Sequence, residues 1–486
     1  MNLADAAARG SGVTLLSQLL RVALQFGSTI ILARLLVPGD FGLVAMAAAV
    51  VSFAEVIRDF GLSSAAIQSK TLSNDERTNL FWANTALGAA CTLLAILAAP
   101  LIVLLYGDDR LLAIVYALSA SFLIGGLNTQ FKADLTRRMQ FTALATVDIV
   151  CVTVGILAGV IGALAGMSYW AIILQQLTTT MVSFLLCVVL SRWKPGLPQR
   201  HVSIRRFMRF GGGLLGTQAI SYLTKNVDSI AIGVVWGAGP LGLYDRAYQL
   251  LMTPLNQINA PMTRVALPVL SQIQDEKERY QRYLLKAQLV GAYVTASVFA
   301  VSAGLAVPLV AVLFGDRWAG VAPIFAILAI GGVFRAMAQI SYWMYLSLGL
   351  TGAQLRMFLA VRPVMVVIML AGVPWGPVGV AVGQTLAYSL HWAVSLWRVG
   401  VVSGIPTAPL FANALRIVGV VSVPCGVASW AATLIDVAPL LQLLIGLGFA
   451  AAYALLAALL VPFVRRDLAI IQTFARRMVS RRKGKR

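Results

Sequence analysis

Apolar runs of about 20 residues recur along the whole chain and are separated by short polar segments. A helical run of this length spans the hydrocarbon core of a bilayer. The runs are too long, and too rarely alternate between polar and apolar positions, to be barrel strands. The pattern predicts an all-α integral membrane protein with about fourteen transmembrane helices. The predicted spans are 11–36, 41–62, 79–105, 111–131, 141–163, 169–191, 209–236, 241–263, 287–314, 320–348, 354–371, 377–398, 411–434 and 439–463.

The composition supports the membrane class. Hydrophobic residues make up 59% of the chain, charged residues only 12%, and the mean hydropathy is +0.84. A soluble protein of ordinary composition is about a quarter charged. The segment "MNLADAAARGSG" leads into an apolar span without a small-residue cleavage site, so we predict a retained cytoplasmic segment rather than a signal peptide.

The basic residues predict the topology. If the N-terminus is inside, thirty of the 38 Lys and Arg residues fall in inside segments, among them Arg356 and Arg362. Only Arg110 and Arg317 fall in outside loops. This bias predicts an even number of spans with both termini on the cytoplasmic side of the membrane. The net charge of +20 is then mainly a topology signal, and the tail "RRMVSRRKGKR" is predicted to lie on anionic lipid headgroups.

An internal repeat divides the chain. "PGDFGLV" at 38–44 is similar to "GAGPLGLY" at 237–244. The matched pairs are Gly39 with Gly239, Gly42 with Gly242, and Leu43 with Leu243. Two six-helix copies with the same orientation are an architecture of transporters. We therefore predict an N-lobe at 1–200, a C-lobe at 201–400, and two further helices with a basic tail at 401–486.

Several function classes are disfavoured by the motifs. The four cysteines lie scattered in apolar runs, far from either histidine, which argues against a metal site or a disulfide framework. "GAGPLG" at 237–242 and "GGGLLG" at 211–216 fit a dinucleotide pattern, but neither follows a predicted strand. No loop is long enough for a catalytic domain. We expect no enzyme, no cofactor, no metal and no nucleic-acid partner.

Polar residues inside the spans are the candidate functional residues, because a charge exposed to lipid costs about 2.5–3.5 kcal/mol or more. Spans one, two, seven, eight and ten carry most of them. The candidates are Arg21, Gln25, Lys225, Asp228, Gln249, Asn256, Asn259 and Arg335. Lys225 and Asp228 are three residues apart, so they can pair on one helix face. Each candidate either lines a hydrated cavity or only locks helices together, and Asp228 is either a cation or proton site or the partner of Lys225.

The segment from 226 to 276 resembles the signature region of the polysaccharide transporter family, which belongs to the multidrug/oligosaccharidyl-lipid/polysaccharide exporter superfamily. The matching residues are Asn226, Asp228, Gly233, Gly237, Leu241, Gly242, Tyr244, Ala247, Tyr248, Leu250, Pro268, Leu270, Ser271 and Gln274. "LARLLVPGDFGLVAMA" and "DFGLSSAAIQ" near the N-terminus are equally typical. The resemblance is strongest to exporters of the colanic-acid or teichuronic-acid type and covers about residues 1–400. It implies two six-helix lobes in a V shape.

The resemblance also implies a function: flipping a polyprenyl-pyrophosphate-linked oligosaccharide across the cytoplasmic membrane by alternating access. Arg21, Lys225 and Arg335 would then attract the pyrophosphate, and the amides of span eight would meet the sugar hydroxyls. Na⁺ or H⁺ is a possible coupling ion, with Asp228 as its site, and the polysaccharide polymerase machinery is a possible partner. The alternatives are an ion-coupled multidrug-type antiporter on the same fold and a membrane subunit without transport.

Overall fold

The structure, a computed structural model, describes residues 3–58, 72–199, 201–202 and 226–483. Regular secondary structure in these ranges is helical throughout, without strands. Ten of the described helical segments are long and apolar enough to cross a membrane, and three of them contain two α-helices each: Val321–Ser347, Thr351–Ser403 and Ala408–Leu434. The predicted all-α membrane fold is confirmed, and all fourteen predicted spans coincide with helical residues where these are described.

The chain forms two compact units, Met1–Gly242 and Leu243–Arg486, which are treated separately below. The helices of the first are α1 (Leu3–Leu35), α2 (Pro38–Arg58), α3 (Asn74–Tyr106), α4 (Arg110–Arg137), α5 (Phe141–Leu164), α6 (Trp170–Ser191) and α7 (Asn226–Trp236). Helix α8 (Ala238–Gln272) begins in the first unit and continues into the second. Residues 203–225, which include most of predicted span seven, lie outside the described residues.

The second unit contains shorter and more interrupted helices. They are α9 (Lys277–Gly304), α10 (Ala306–Leu313), α11 (Val321–Met337), α12 (Gln339–Ser347), α13 (Thr351–Ala371), α14 (Gly376–Ser403), α15 (Ala408–Ile417), α16 (Val423–Ala431), α17 (Pro439–Leu460) and α18 (Pro462–Lys483). A π-helical segment, Val418–Ser422, joins α15 to α16. Predicted spans nine, ten and thirteen are therefore each divided into two helices.

Local sequence explains where α3 begins. Ser73 is its N-cap: the Ser73 Oγ accepts a hydrogen bond from the backbone N–H of Glu76 at 3.1 Å. The Glu76 carboxylate in turn accepts a bond from the Ser73 backbone N–H at 3.0 Å. This capping box satisfies two amide groups that the first helical turn leaves unpaired. The end of α3 that it fixes carries Arg77, which stacks on the Trp193 ring at 4.0 Å and pairs with the buried Asp134 at 2.8 Å.

The matched glycines of the internal repeat lie in contact within the first unit. A Cβ built on Gly42 would overlap the backbone carbonyl of Ala238, and one built on Gly242 would overlap the carbonyl of Pro38. Only residues without a side chain permit this approach of α2 to the start of α8. The other matched glycines, Gly39 and Gly239, have no neighbouring atom within 4 Å of such a Cβ. The repeat therefore carries one glycine pair required by packing and one pair that is not.

One ion pair anchors α18 to the helices of the second unit. The Arg416 guanidinium donates to both carboxylate oxygens of Asp467, at 3.0 and 2.9 Å, and the Tyr293 hydroxyl donates to the same carboxylate at 3.1 Å. Asp467 is buried, and Val464, one turn earlier, packs into the core beside Val421. Arg465 and Arg466, which lie between Val464 and Asp467, are exposed.

We expect Asp467→Asn to lower the free energy of unfolding by about 2 kcal/mol, because an amide cannot neutralise Arg416. The effect is smaller than for a fully buried pair, since the Arg416 side chain is 40% exposed. Tyr293→Phe removes a single hydrogen bond and should cost about 1 kcal/mol. Thermal unfolding of the purified protein in detergent measures both. Equal losses in the two variants would contradict a separate contribution from the ion pair.

Candidate functional site

A cluster of basic and aromatic side chains surrounds Arg335 of α11 in the second unit. The Arg335 guanidinium lies 3.9 Å from the centroid of the Tyr388 ring on α14. It also donates a hydrogen bond to the Tyr248 hydroxyl on α8 at 3.1 Å and lies 5.5 Å from the Tyr248 ring. Tyr244 stacks on Tyr248 one turn away, with the rings 6.3 Å apart. A cation from one apolar helix is thus held by two aromatic rings from two others.

Arg362 and His391 extend this cluster. The Arg362 guanidinium lies over the Phe358 ring at 4.6 Å, and the His391 ring lies 5.8 Å from Phe358 and 6.4 Å from Tyr388. Both Arg335 and Arg362 are close enough to act electrostatically on His391. Arg362 forms no ion pair with any carboxylate of the described residues. The Nδ1 atom of His391 is buried and has no hydrogen-bond partner there.

This basic–aromatic cluster, defined as Tyr248, Arg335, Phe358, Arg362, Tyr388 and His391, suits an anionic polar ligand. A guanidinium can donate two parallel hydrogen bonds to a phosphate, and stacking on an aromatic ring fixes its plane. Two guanidinium groups that both lie near His391 in apolar helices repel one another in a medium that screens poorly. An anion bound between Arg335 and Arg362 would relieve that repulsion.

Sequence reasoning identified Arg335 but missed Arg362, Tyr388 and His391. Arg362 was counted with the inside segments although it also falls in predicted span 354–371, and in the structure it lies in the middle of α13. The signal for Arg362 was its position within an apolar run of 21 residues. His391 looked isolated because its neighbours come from α11 and α13, which are distant in sequence.

The predicted amides of α8 occupy different environments. Gln249 follows Tyr248 in sequence, and its side-chain Oε1 is buried with no hydrogen-bond partner among the described residues. Asn256 is exposed. Asn259 lines a small cavity together with Gln339, whose side-chain amide donates to the Thr263 hydroxyl at 3.1 Å. Gln249 is therefore the sequence neighbour of Tyr248, a member of the basic–aromatic cluster. Asn259 lies more than two helical turns further along α8.

The predicted residues of α1 lie in the first unit. Arg21 is partly buried, and its Nε has no hydrogen-bond partner among the described residues. It is close enough to Cys151 of α5 to act on it electrostatically. Gln25 is exposed. The buried Ser28, two turns beyond Arg21, is hydrogen-bonded to Gln175 of α6, whose side-chain nitrogen donates to the Ser28 hydroxyl at 3.0 Å. The polar residues of α1 therefore differ in environment: Gln25 is exposed, whereas Ser28 is buried and hydrogen-bonded to Gln175.

Asp228 is buried near the start of α7, and its Oδ1 accepts a hydrogen bond from the Ser229 backbone N–H at 2.9 Å. Its predicted partner Lys225 lies outside the described residues. Other charged residues of the helices form ion pairs. Arg246 pairs with Asp245 at 2.5 Å, and Lys132 pairs with Asp148 at 3.1 Å. The second pair joins α4 to α5, whereas Asp245 and Arg246 are neighbours on α8.

Sequence comparison places these features among proteins of polysaccharide export. A family model described as "Polysaccharide biosynthesis protein" matches residues 31–323, more than half of the chain. "Lipopolysaccharide biosynthesis protein WzxC" of Escherichia coli K12 is 26% identical over 349 residues, which are 70% of this chain and 69% of the relative. "Succinoglycan biosynthesis transport protein ExoT" of Rhizobium meliloti is 28% identical over 66% of this chain and 65% of the relative. "Teichuronic acid biosynthesis protein TuaB" of Bacillus subtilis is 27% identical over 59% of each.

Solved structures show the same fold. The lipid II flippase MurJ, in an inward closed conformation, superimposes with a TM-score of 0.72 at 16% identity, over 95% of this chain and 100% of MurJ. An inward-facing multidrug resistance transporter of the MATE family gives a TM-score of 0.57 at 14% identity, over 81% of this chain and 96% of the transporter. At these identities the similarity establishes a transporter fold and no more.

Proposed function

The chain belongs to the polysaccharide biosynthesis protein family, and from this premise we propose that it is a flippase for a polyprenyl-pyrophosphate-linked oligosaccharide. It is a multi-pass membrane protein whose relatives are transport proteins rather than enzymes. The cargo has an anionic pyrophosphate, a polar glycan and a long apolar tail. The proposed reaction moves the repeat unit from the inner to the outer leaflet of the bacterial cytoplasmic membrane, for synthesis of an exopolysaccharide or other surface polysaccharide.

The observation that carries this proposal is the basic–aromatic cluster inside apolar helices of the second unit. Moving a pyrophosphate through hydrocarbon unaided is prohibitively costly. Arg335 and Arg362 supply two guanidinium groups that can each bind phosphate in a bidentate way. The aromatic rings that contact these guanidinium groups place apolar surface beside the positive charge. Such a site suits a ligand that combines an anion with a sugar.

The remaining candidate residues are proposed to contact the cargo along the same transport path. Arg21 and Lys225 would add positive charge toward the pyrophosphate, while Gln25, Gln249, Asn256 and Asn259 would hydrogen-bond to sugar hydroxyls. The polyprenyl tail would stay in lipid. We propose that lobes 1–200 and 201–400 rock to give alternating access, with bends at glycines and at Pro254 of α8, while 401–486 adds two helices and a basic tail.

Complementation of a strain lacking its own flippase tests the function. Expression of this chain should restore surface polysaccharide and clear the undecaprenyl-linked repeat units that accumulate in the null strain. The rival, a multidrug-type antiporter, predicts no restoration but increased resistance to cationic drugs. A cationic cluster disfavours cationic cargo through like-charge repulsion. Restored resistance without polysaccharide would overturn the proposal, and restoration of neither phenotype by a well-expressed chain would favour a membrane subunit without transport.

We propose that Asp228 couples transport to Na⁺ or H⁺, because a buried carboxylate in an apolar helix gains stability by binding a cation. Asp228→Asn should retain the fold and lose the gradient-dependent part of transport, with the rate falling to that without a gradient. Flipping of a fluorescent lipid-linked sugar in proteoliposomes, with and without an imposed ion gradient, measures this. Asp245→Asn is the control, since it removes a carboxylate of α8 that is paired with Arg246.

If Asp228 only locks helices together, Asp228→Asn lowers the melting temperature and the remaining transport still responds to the gradient. That outcome would reject the coupling role.

We further propose that both termini are cytoplasmic and that the polymerase machinery receives the flipped repeat unit. Cysteine accessibility at the two termini, measured in intact cells, tests the orientation.

A further inference from the structure

A positively charged cavity, separate from the residues of the basic–aromatic cluster, opens near the starts of α9, α15 and α18. Its volume is about 460 Å³, within the range of small-ligand sites. The charged lining consists of Arg282, Lys286, Arg416 and Asp467. The remaining lining residues are Leu285, Leu289, Pro409, Ala412, Asn413 and Ile470. One wall is thus charged, and the rest is mostly apolar.

The charges in this cavity do not cancel. Arg282 and Lys286 are exposed, one turn apart on the same face of α9, and like charges at this spacing repel. Neither forms an ion pair with a carboxylate of the described residues. The carboxylate of Asp467 is already engaged by Arg416 and Tyr293. The Nε of Arg416 is buried and has no hydrogen-bond partner in the described part of the chain. Two uncompensated cations and a buried donor therefore converge on one space.

We propose that this cavity binds the phosphate headgroup of an anionic phospholipid from the cytoplasmic leaflet. The segment preceding α9, the start of α15 and the tail following α17 all belong to the predicted cytoplasmic side. Arg282, Lys286 and Arg416 would contact the phosphate. The apolar side chains would cover the glycerol and the first part of the acyl chains, which a free phosphate ion would leave unfilled. Since Asp467 and Arg416 anchor α18, an occupied site would also fix that helix against the membrane surface.

The test uses the full-length protein purified in detergent. Dioctanoyl phosphatidylglycerol, dioctanoyl phosphatidylcholine and inorganic phosphate are titrated separately, and the rise in melting temperature gives an apparent Kd. We expect saturable binding of phosphatidylglycerol that is weakened at least about tenfold by Arg282→Gln with Lys286→Gln, since the double variant removes two basic residues that would attract the headgroup. Ala412→Trp should have a similar effect by filling the cavity without changing the charge.

The matched control is Arg465→Gln with Arg466→Gln, which removes the same charge from exposed positions of α18 outside the cavity. Its apparent Kd should remain within about twofold of the parent value. Equal weakening by both double variants would overturn the proposal in favour of general surface attraction. Inorganic phosphate binding as tightly as phosphatidylglycerol would overturn it by excluding the lipid. Competition by a polyprenyl pyrophosphate at lower concentration would assign the cavity to the transported substrate instead. Melting temperatures without lipid verify that each variant folds.

Discussion

Arg335→Gln should reduce flipping of a lipid-linked oligosaccharide roughly 10–150-fold, corresponding to the 1.5–3 kcal/mol of a hydrogen bond to a charged group. Glutamine keeps a hydrogen-bond donor but loses the positive charge and the planar group that stacks on Tyr388. Arg335→Lys keeps the charge without the bidentate geometry, so its flipping rate should lie between those of the parent protein and Arg335→Gln. Initial rates in proteoliposomes containing equal amounts of protein measure the series.

The control for this series is Arg356→Gln on α13. Arg356 is exposed, so its replacement should leave the flipping rate unchanged. Arg335→Gln with unaltered flipping would remove the basic–aromatic cluster from the transport path. A melting temperature lowered in Arg335→Gln, with the loss of rate reversed at lower temperature, would instead assign Arg335 a purely structural role through its contacts with Tyr248 and Tyr388.

Gly42→Ala should destabilise the first unit by about 3 kcal/mol, at the upper end of the usual cost of overpacking. The added methyl group would meet the backbone carbonyl of Ala238, which cannot move away as a flexible side chain can. Gly242→Ala meets the carbonyl of Pro38 and should behave in the same way. Thermal unfolding in detergent measures stability, and complementation of the flippase-null strain measures the accompanying loss of function.

The repeat supplies its own controls for the glycine variants. Gly39→Ala and Gly239→Ala add a methyl group with no neighbour within 4 Å, and alanine favours a helix over glycine by up to about 1 kcal/mol. These variants should therefore be neutral or slightly stabilised. If Gly42→Ala were as stable as Gly39→Ala, the close approach of α2 to the start of α8 would not exist in the native protein.

The helices could be predicted from the sequence because hydrophobic span length is a local property. Runs such as 141–163 and 439–463 coincide with α5 and α17 to within a few residues. The family could also be identified, since the spacing around Gly242, Tyr244 and Tyr248 is contained in one continuous segment. Neither inference required knowledge of how distant parts of the chain pack.

The cluster around Arg335 could be predicted only in part, because its members come from α8, α11, α13 and α14. An apolar run indicates that a helix is buried but not which residues meet across it, so Arg362 and His391 were missed. The division of span ten was also missed. Helix α11 ends at Met337 and α12 begins at Gln339, and no proline or glycine between them signals the break. Proline, the usual signal for a break, lies instead inside helices that continue.

Helix α8 is the clearest example of a helix that continues through prolines. It contains Pro254, Pro261 and Pro268 and remains helical throughout. Each proline lacks an N–H, so the carbonyl four residues earlier receives no hydrogen bond from it. The three freed carbonyls recur every seven residues and therefore line one side of the helix about 10 Å apart. Along that side the main chain itself presents acceptors for hydroxyl groups, which replacement of the prolines would remove but replacement of the neighbouring side chains would not.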